Sequence, residues 1–205
     1  MEKGIFITFE GGEGCGKSSA IKGISRKMNE AGIDYICTRE PGGTSISEKI
    51  RQIILDPTTP EMSPRTEALL YAASRAQHTE EKIKPALEKG QIVLCDRYLD
   101  SSLAYQGYAR NLGIKNILTI NDFGIDYCRP DLVFFLNIKP SLAFGRIKNR
   151  NFDRLEKEEL QFHEDVYKYF LQASKTYPYY RDIDATQPIE MVIEEIWQQI
   201  ITYKK

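Results

Sequence analysis

The 205-residue chain lacks any apolar run that could cross a bilayer, since its longest runs, such as residues 132–136, fall far short of roughly 20 residues. Residues 5–9 are too short for the hydrophobic part of a secretory signal. The four cysteines show no CxxC or Cys/His spacing, and the two histidines form no ligand pattern. A net charge of -1 lacks the basic excess of a nucleic-acid binder. We expect a cytoplasmic globular protein that uses neither membrane nor nucleic acid as a partner.

The chain also lacks repeats and Pro/Gly-rich linkers, so we expect one domain over residues 1–205. Predicted strands lie at residues 4–10, 35–38, 91–95, 131–137 and 179–183. Predicted helices lie at residues 17–30, 46–55, 63–89, 99–111, 115–127, 140–150 and 157–177, and from residue 188 onward, with Ser63 as an N-cap and Pro85 as a kink or break. Strands that alternate with helices indicate an α/β fold with a doubly wound parallel sheet. Its ligands should bind at the carboxyl ends of the strands, just after Phe9, Thr38, Cys95 and Asn137.

A glycine-rich segment after the first strand matches G-x-x-x-x-G-K-[ST] without substitution. It consists of Gly11, Gly12, Glu13, Gly14, Cys15, Gly16, Lys17 and Ser18. This phosphate-binding loop requires a strand before it and a helix after it, and both are predicted here. Glycines let backbone N–H groups turn toward phosphate oxygens, while Lys17 would reach the β and γ phosphates and Ser18 would offer its hydroxyl to Mg²⁺. The segment predicts a P-loop that binds a nucleotide.

Other P-loop classes lack their own motifs here. There is no N-K-x-D, no D-x-x-G and no LSGGQ-like segment, which argues against a switch GTPase and a transporter ATPase. The tripeptide at residues 122–124 spells D-F-G, but H-R-D and V-A-I-K are missing, so we interpret it as coincidence.

Asp96 and Arg97 follow a buried predicted strand. There Asp96 could face bound Mg²⁺, directly or through water, and Arg97 could clamp phosphate with its bidentate guanidinium. The same pair could equally be an ordinary ion pair at a helix start.

Two polar faces could bind a base. Tyr71 and Arg75 lie one helical turn apart, and Ser102, Tyr105 and Gln106 share a face after Arg97. An aromatic ring can stack on a base, and a guanidinium or amide can read its edge. A tyrosine at the edge of the core beside a solvated arginine fits the first spacing as well.

Arginines recur at every fourth position near residue 150, at Arg146, Arg150 and Arg154. They could belong to a lid over phosphates, at about residues 146–156. Taken singly, each arginine is more typical of a solvated helix face.

Long contiguous strings across the chain resemble the bacterial thymidylate kinase family. They are FEG and the P-loop from residue 9, TREPGG at 38–43, EALLYAASR at 67–75, CDRY at 95–98, DSSLAYQG at 100–107, RPDL at 129–132 and DATQP at 184–188. The resemblance implies a P-loop kinase fold with a five-stranded parallel sheet flanked by helices and a short mobile lid. It also implies transfer of the γ-phosphoryl group of ATP to dTMP, use of Mg²⁺, and a homodimer.

The resemblance further implies roles for individual residues. Tyr71 resembles the residue that stacks on thymine, Arg75 and Gln106 resemble those that hydrogen-bond the base beside Ser102, and Tyr105 resembles the ring that disfavours a ribose. The phosphate of the acceptor would be gripped by Arg51 and Arg97, with Glu40 nearby.

One departure concerns the P-loop, where some relatives carry an arginine and this chain has Glu13, Gly14 and Cys15. The catalytic cations would then be Lys17, Arg97 and the lid arginines Arg146, Arg150 and Arg154. The metal is assigned to Ser18 and Asp96, with Glu10 left open as a nearer carboxylate. Two alternatives also stay open: a P-loop kinase for another nucleotide or a nucleoside, and an ATP-binding switch that phosphorylates no small molecule.

Overall fold

A computed structural model describes residues 3–146 and 153–203 of the chain. Its five-stranded sheet contains β1 (Phe6–Glu10), β2 (Tyr35–Arg39), β3 (Ile92–Asp96), β4 (Leu132–Asn137) and β5 (Tyr180–Asp184). The spatial order is β2-β3-β1-β4-β5, and every neighbouring pair is parallel. The predicted parallel sheet flanked by helices is therefore confirmed. Because all five strands run the same way, their carboxyl ends meet at one edge of the sheet.

The helices connect and cover these strands. They are α1 (Lys17–Glu30), α2 (Ser45–Leu55), α3 (Pro64–His78), α4 (Lys84–Glu88), α5 (Leu99–Ser102), α6 (Ile114–Ile125), α7 (Pro140–Phe144), α8 (Leu160–Thr176) and α9 (Ile189–Tyr203). Ser63 caps α3 as expected, since its Oγ accepts a hydrogen bond from the Thr66 N–H at 3.2 Å.

Three predicted helices differ from the observed ones. Residues 63–89 are divided into α3 and α4 by a wider π-helical turn at Thr79–Ile83, just before Pro85. Residues 99–111 begin as α5 and continue as a π-helical segment, Leu103–Ala109. The helix expected at 140–150 ends as α7 at Phe144, and residues 147–150 lie outside the described part of the chain. Hydrophobic periodicity does not distinguish a π turn from an α turn.

Alternate side chains of the buried strands build two apolar layers, one on each face of the sheet. On one face, Phe9 and Phe134 pack with residues of α1 and α9, such as Ile24 and Ile196. On the other face, Phe135 packs with residues of α3, α6 and α8. Burial on both faces explains why the central strands are continuously apolar, and it holds the loops at the carboxyl edge on a rigid base.

Within residues 3–146 and 153–203, no helix combines the length and the apolar character that a membrane crossing requires.

Candidate active site

A cavity of about 780 Å³ opens at the carboxyl edge of the sheet. Its walls come from the P-loop, the loops after β2 and β3, the side of α3, and the loop after β5. Its lining side chains include Glu13, Lys17, Ser18, Arg39, Glu40, Arg51, Tyr71, Asp96, Arg97, Ser101, Ser102, Tyr105, Gln106, Arg146, Asp153, Leu155 and Gln187. The predicted phosphate-binding and base-binding segments therefore meet in one space, although they are far apart in sequence.

The P-loop curls around its own lysine. Gly11, Gly14 and Gly16 adopt positive φ angles of 137°, 70° and 101°, which side chains with a Cβ rarely tolerate. At Gly11 a Cβ would also lie 3.0 Å from both Cys15 Sγ and Leu136 O. The ammonium of Lys17 donates to Gly12 O at 2.9 Å and Gly11 O at 3.2 Å. The loop thus holds a buried cation at the start of α1, where the helix N-terminus also favours an anion.

Two oxygen side chains meet beside this cation. The hydroxyl of Ser18 donates to Asp96 Oδ2 at 3.1 Å, and both residues line the cavity. In the described residues no group of three or more His, Cys, Asp or Glu side chains is arranged to hold a metal. One hydroxyl and one carboxylate are a donor set that suits Mg²⁺, which usually takes its remaining ligands from water and phosphate. The residues therefore fit the expected ion.

Arg97 connects the loop after β3 to the P-loop. Its backbone has a φ of 67°, unusual for a residue with a side chain. The guanidinium forms an ion pair with Glu13, donates to Gly11 O at 2.9 Å, and lies 5.2 Å from the ring centre of Tyr105. Burial alone would lower the pKa of Arg97, but the Glu13 carboxylate and other neighbouring groups raise it well above the ordinary value. A permanent cation therefore points into the cavity.

A buried carboxylate supports the backbone at Arg97. Glu10 accepts a hydrogen bond from the N–H of Tyr98 at 2.8 Å and from the hydroxyl of Ser101 at 2.6 Å. Burial, and then the nearby carboxylate of Asp100, raise the pKa of Glu10 to about 7. Glu10 is absent from the cavity lining, whereas Asp96 lines it beside Ser18. Of the two carboxylates left open for the metal, Asp96 is the one that faces the cavity.

Aromatic and amide groups line the part of the cavity next to α3, which we call its base end. Tyr71, Ser102, Tyr105 and Gln106 are brought together there by α3, α5 and the π-helical segment. The hydroxyl of Tyr105 donates to Glu13 at 3.3 Å, and the amide nitrogen of Gln106 donates to Glu67 at 2.8 Å. Two aromatic rings, three hydroxyls and an amide are groups that can enclose and read a base.

Arg75 lies behind the cavity and not on its wall. Only 2% of the residue is exposed. Its Nε donates to Glu40 at 2.7 Å, its Nη1 donates to Ser102 at 2.9 Å and also to Asn121, and its Nη2 donates to Tyr98 O at 2.9 Å. Four of its five N–H groups are thus used within the protein. In this conformation the arginine organises Glu40 and Ser102, and it makes no direct approach to the cavity.

Two further arginines lie close to Glu40. Arg39 and Arg51 both donate to Pro41 O, at 2.9 Å and 2.8 Å. Burial, and then the charge of Arg39, lower the pKa of Arg51. Two adjacent cations that line a cavity are typical of an anion site.

The three arginines near residue 150 are placed differently from one another. Arg146 lines the cavity and donates to Ala185 O at 2.9 Å, in the loop after β5. Arg150 lies outside the described residues. Arg154 does not line the cavity: its guanidinium donates to Glu67 at 2.6 Å and to Ile54 O at 3.0 Å. In this conformation Arg154 anchors the chain instead of facing phosphate.

Several residues of the site were missed by sequence reasoning. Arg39, Ser101 and Asp153 line the cavity, Ser101 also accepts a hydrogen bond from Arg97, and Glu67 holds Gln106, which lines the cavity. Glu67 lies one helical turn before Tyr71, so its place on the same face of α3 was readable from the sequence.

Known proteins with similar sequences cover the segments that line this cavity. A family model described as Thymidylate kinase matches residues 9–196. The chain is 52% identical over 204 residues to the thymidylate kinase of Oceanobacillus iheyensis, covering 98% of this chain and 91% of that protein. It is 50% identical over 199 residues to the enzyme of Lactobacillus acidophilus (95% and 92%). It is 48% identical over 200 residues to that of Clostridium novyi (96% and 98%).

Proposed function

The chain belongs to the thymidylate kinase family, and we propose that it transfers the γ-phosphoryl group of ATP to dTMP, forming dTDP and ADP. The observation that carries this proposal is the single cavity, whose walls include residues 13–18 of the P-loop and a base end lined by Tyr71 and Gln106. An ATP-binding switch has no use for that base end.

Cations would position both phosphate groups and neutralise the charge that develops during transfer. Lys17 would leave its carbonyl partners in the P-loop for the donor phosphates, with backbone N–H groups of residues 11–18 around them. Arg97 and Arg51 would hold the acceptor phosphate between the P-loop and Pro41. Because that phosphate is already anionic, no strong general base is required.

Ser18 and Asp96 would hold Mg²⁺, which adds positive charge beside the donor phosphates when it is bound. The 3.1 Å hydrogen bond between the two side chains supports this assignment.

Four side chains would recognise the acceptor nucleoside. Tyr71 would stack on the base, Gln106 would bond its edge beside Ser102, and Tyr105 would crowd the sugar. Their common position at one end of the cavity supports these roles. Arg75 and Glu40 would act on the base chiefly through Ser102 and the loop after β2, since Arg75 itself is buried.

The donor base would lie near the loop after β5, where Arg146 and Gln187 line the cavity. A lid over residues 146–156, with Arg150 and Arg154 as further catalytic cations, stays a prediction, as does the assignment of residues 1–205 to one domain. Lid closure would exclude water, which competes with dTMP for the phosphoryl group.

A homodimer is part of the same proposal. The neighbouring helices α2, α3 and α6 expose large apolar side chains, including Ile53, Leu69 (56% exposed) and Phe123 (93% exposed). Such side chains on adjacent helices are typical of a protein interface. In size-exclusion chromatography with light scattering, we expect a dimer for the wild type and a monomer for Phe123→Glu. The control Leu160→Glu, at a leucine of α8 that is about as exposed as Leu69, should stay dimeric; a monomeric wild type contradicts this assignment.

The activity is tested by measuring ADP release from Mg-ATP with dTMP, dUMP, UMP, dCMP, dGMP and thymidine, each offered separately. A clear preference for dTMP is expected. Preference for another acceptor would keep the phosphate chemistry and overturn the base assignment, and no stimulation by any of them would favour the switch.

A further inference from the structure

The side chain of Glu67 is a buried charge directly behind the base end of the cavity. The residue has no exposed surface, and its carboxylate accepts hydrogen bonds from three side chains. These are the amide of Gln106 at 2.8 Å and the guanidiniums of Arg154 at 2.6 Å and Arg110 at 3.2 Å. A buried carboxylate is costly unless it is paired and hydrogen-bonded in this way. Glu67 therefore strongly favours one arrangement of its three partners.

For Gln106 this arrangement decides which way the amide faces. A carboxylate between two guanidiniums is ionised and can only accept hydrogen bonds. The amide nitrogen of Gln106 must then face Glu67. Its carbonyl oxygen accepts no hydrogen bond from any of the residues at 3–146 or 153–203, and Gln106 lines the cavity. The side-chain oxygen of Gln106 is therefore free to accept a hydrogen bond in the cavity, and one N–H of the same amide lies beside it.

We propose that Glu67 is a positioning residue that sets the base specificity of the acceptor site through the amide of Gln106. The inference rests on the proposed function, in which Gln106 contacts the acceptor base. Thymine carries an N3–H donor between two carbonyl acceptors, whereas N3 of cytosine is itself an acceptor. An amide oxygen held toward N3 accepts from thymine and repels cytosine. If the amide could turn over, this discrimination would be lost.

The same carboxylate also steadies the wall of the cavity. Arg154, which it anchors, stands between Asp153 and Leu155, and both of these line the cavity. The P-loop makes no hydrogen bond to Glu67 among the contacts of the described chain. Removing the charge of Glu67 should therefore disturb the acceptor end and leave the donor end intact.

The test is the variant Glu67→Gln, which keeps the shape of the side chain but can donate as well as accept. We expect the ratio of kcat/KM for dTMP to that for dCMP to fall about tenfold, with a higher KM for dTMP and a KM for ATP within about twofold of the wild type. The matched control is Glu158→Gln, which removes the other carboxylate partner of Arg110 and does not touch Gln106. It should keep the wild-type ratio.

A second measurement depends neither on turnover nor on the folding of Glu67→Gln. In the wild type, the side-chain amide resonances of Gln106, assigned by their loss in Gln106→Leu, should include one proton shifted downfield and slow to exchange. Rapid exchange of both protons would overturn the proposal. So would folded Glu67→Gln with an unchanged dTMP to dCMP ratio, or an equal fall in Glu158→Gln. A wild type inactive toward dTMP would defeat the proposed function instead, while the resonances would still report the bond.

Discussion

The guanidinium of Arg97 is paired with the carboxylate of Glu13, so the loop after β3 is tied to the P-loop by a partly buried ion pair. The same guanidinium donates to Gly11 O at 2.9 Å. A cation that is already held at the P-loop loses little conformational freedom when phosphates arrive, which is the condition for electrostatic stabilisation of a transition state.

Arg97→Ala should lower kcat by about 10²- to 10⁴-fold, because it removes a preorganised cation from the path of phosphoryl transfer. Steady-state kinetics with ATP and dTMP measure this. Arg129→Ala is the control, since Arg129 pairs with Asp122 on α6 and is absent from the cavity lining. Near-normal turnover of Arg97→Ala would remove Arg97 from the mechanism.

The P-loop offers a pair of glycines with different backbone demands. Gly11→Ala should cost about 1–3 kcal/mol of stability and raise the KM for ATP, because it combines a φ of 137° with contacts at 3.0 Å. Gly12→Ala should be milder, since a Cβ there meets nothing within 4 Å. Urea unfolding and ATP kinetics compare the two; equal effects would show that the conformation of Gly11 is not what the loop requires.

The ring of Tyr71 is expected to stack on the acceptor base. Its hydroxyl makes no hydrogen bond to a residue that the structure describes. Tyr71→Ala should raise the KM for dTMP about 10- to 100-fold through the lost stacking. Tyr71→Phe keeps the ring and should stay near the wild type. The stacking role is contradicted if both variants behave alike.

Glu10 should make stability depend on pH. Its pKa is raised from 4.5 to about 7, first by burial and then by Asp100. The folded state therefore binds the proton more tightly than the unfolded state. The stabilisation that comes from this proton is complete below pH 4.5, and it is lost as the pH rises through about 7.

Glu10→Gln removes this titration and serves as the reference. The free energy of unfolding of the wild type, relative to Glu10→Gln, should fall by about 2–3 kcal/mol between pH 4.5 and about pH 8. Urea unfolding at a series of pH values measures the difference. A difference that is constant, or that grows with pH, would contradict the raised pKa.

The fold could be read largely from local pattern. The central strands were predicted because strands buried on both faces are largely apolar, and the edge strands β2 and β5 from short β-branched and aromatic runs. The P-loop was predicted because its residues are contiguous. The π-helical segments were missed, since the width of a turn depends on packing and not on periodicity.

The site was predictable only in part. The pattern at Tyr71 and Arg75 places both on one face of α3, but it does not say which is deeper; Glu40 and Asn121, from other elements, draw Arg75 inward. Glu67 was missed as a positioning residue because its partners Gln106 and Arg154 lie 39 and 87 residues away. Arg154 was expected in a lid, and its buried pairing with Glu67 is likewise a long-range contact.

The most direct test of the central claim follows the phosphoryl group itself. ATP labelled in its γ-phosphate is incubated with dTMP and Mg²⁺, and the labelled products are separated for the wild type and for Arg97→Ala. The account predicts label in dTDP for the wild type and very little for the variant. Label that appears only as inorganic phosphate, with none in dTDP, would contradict it.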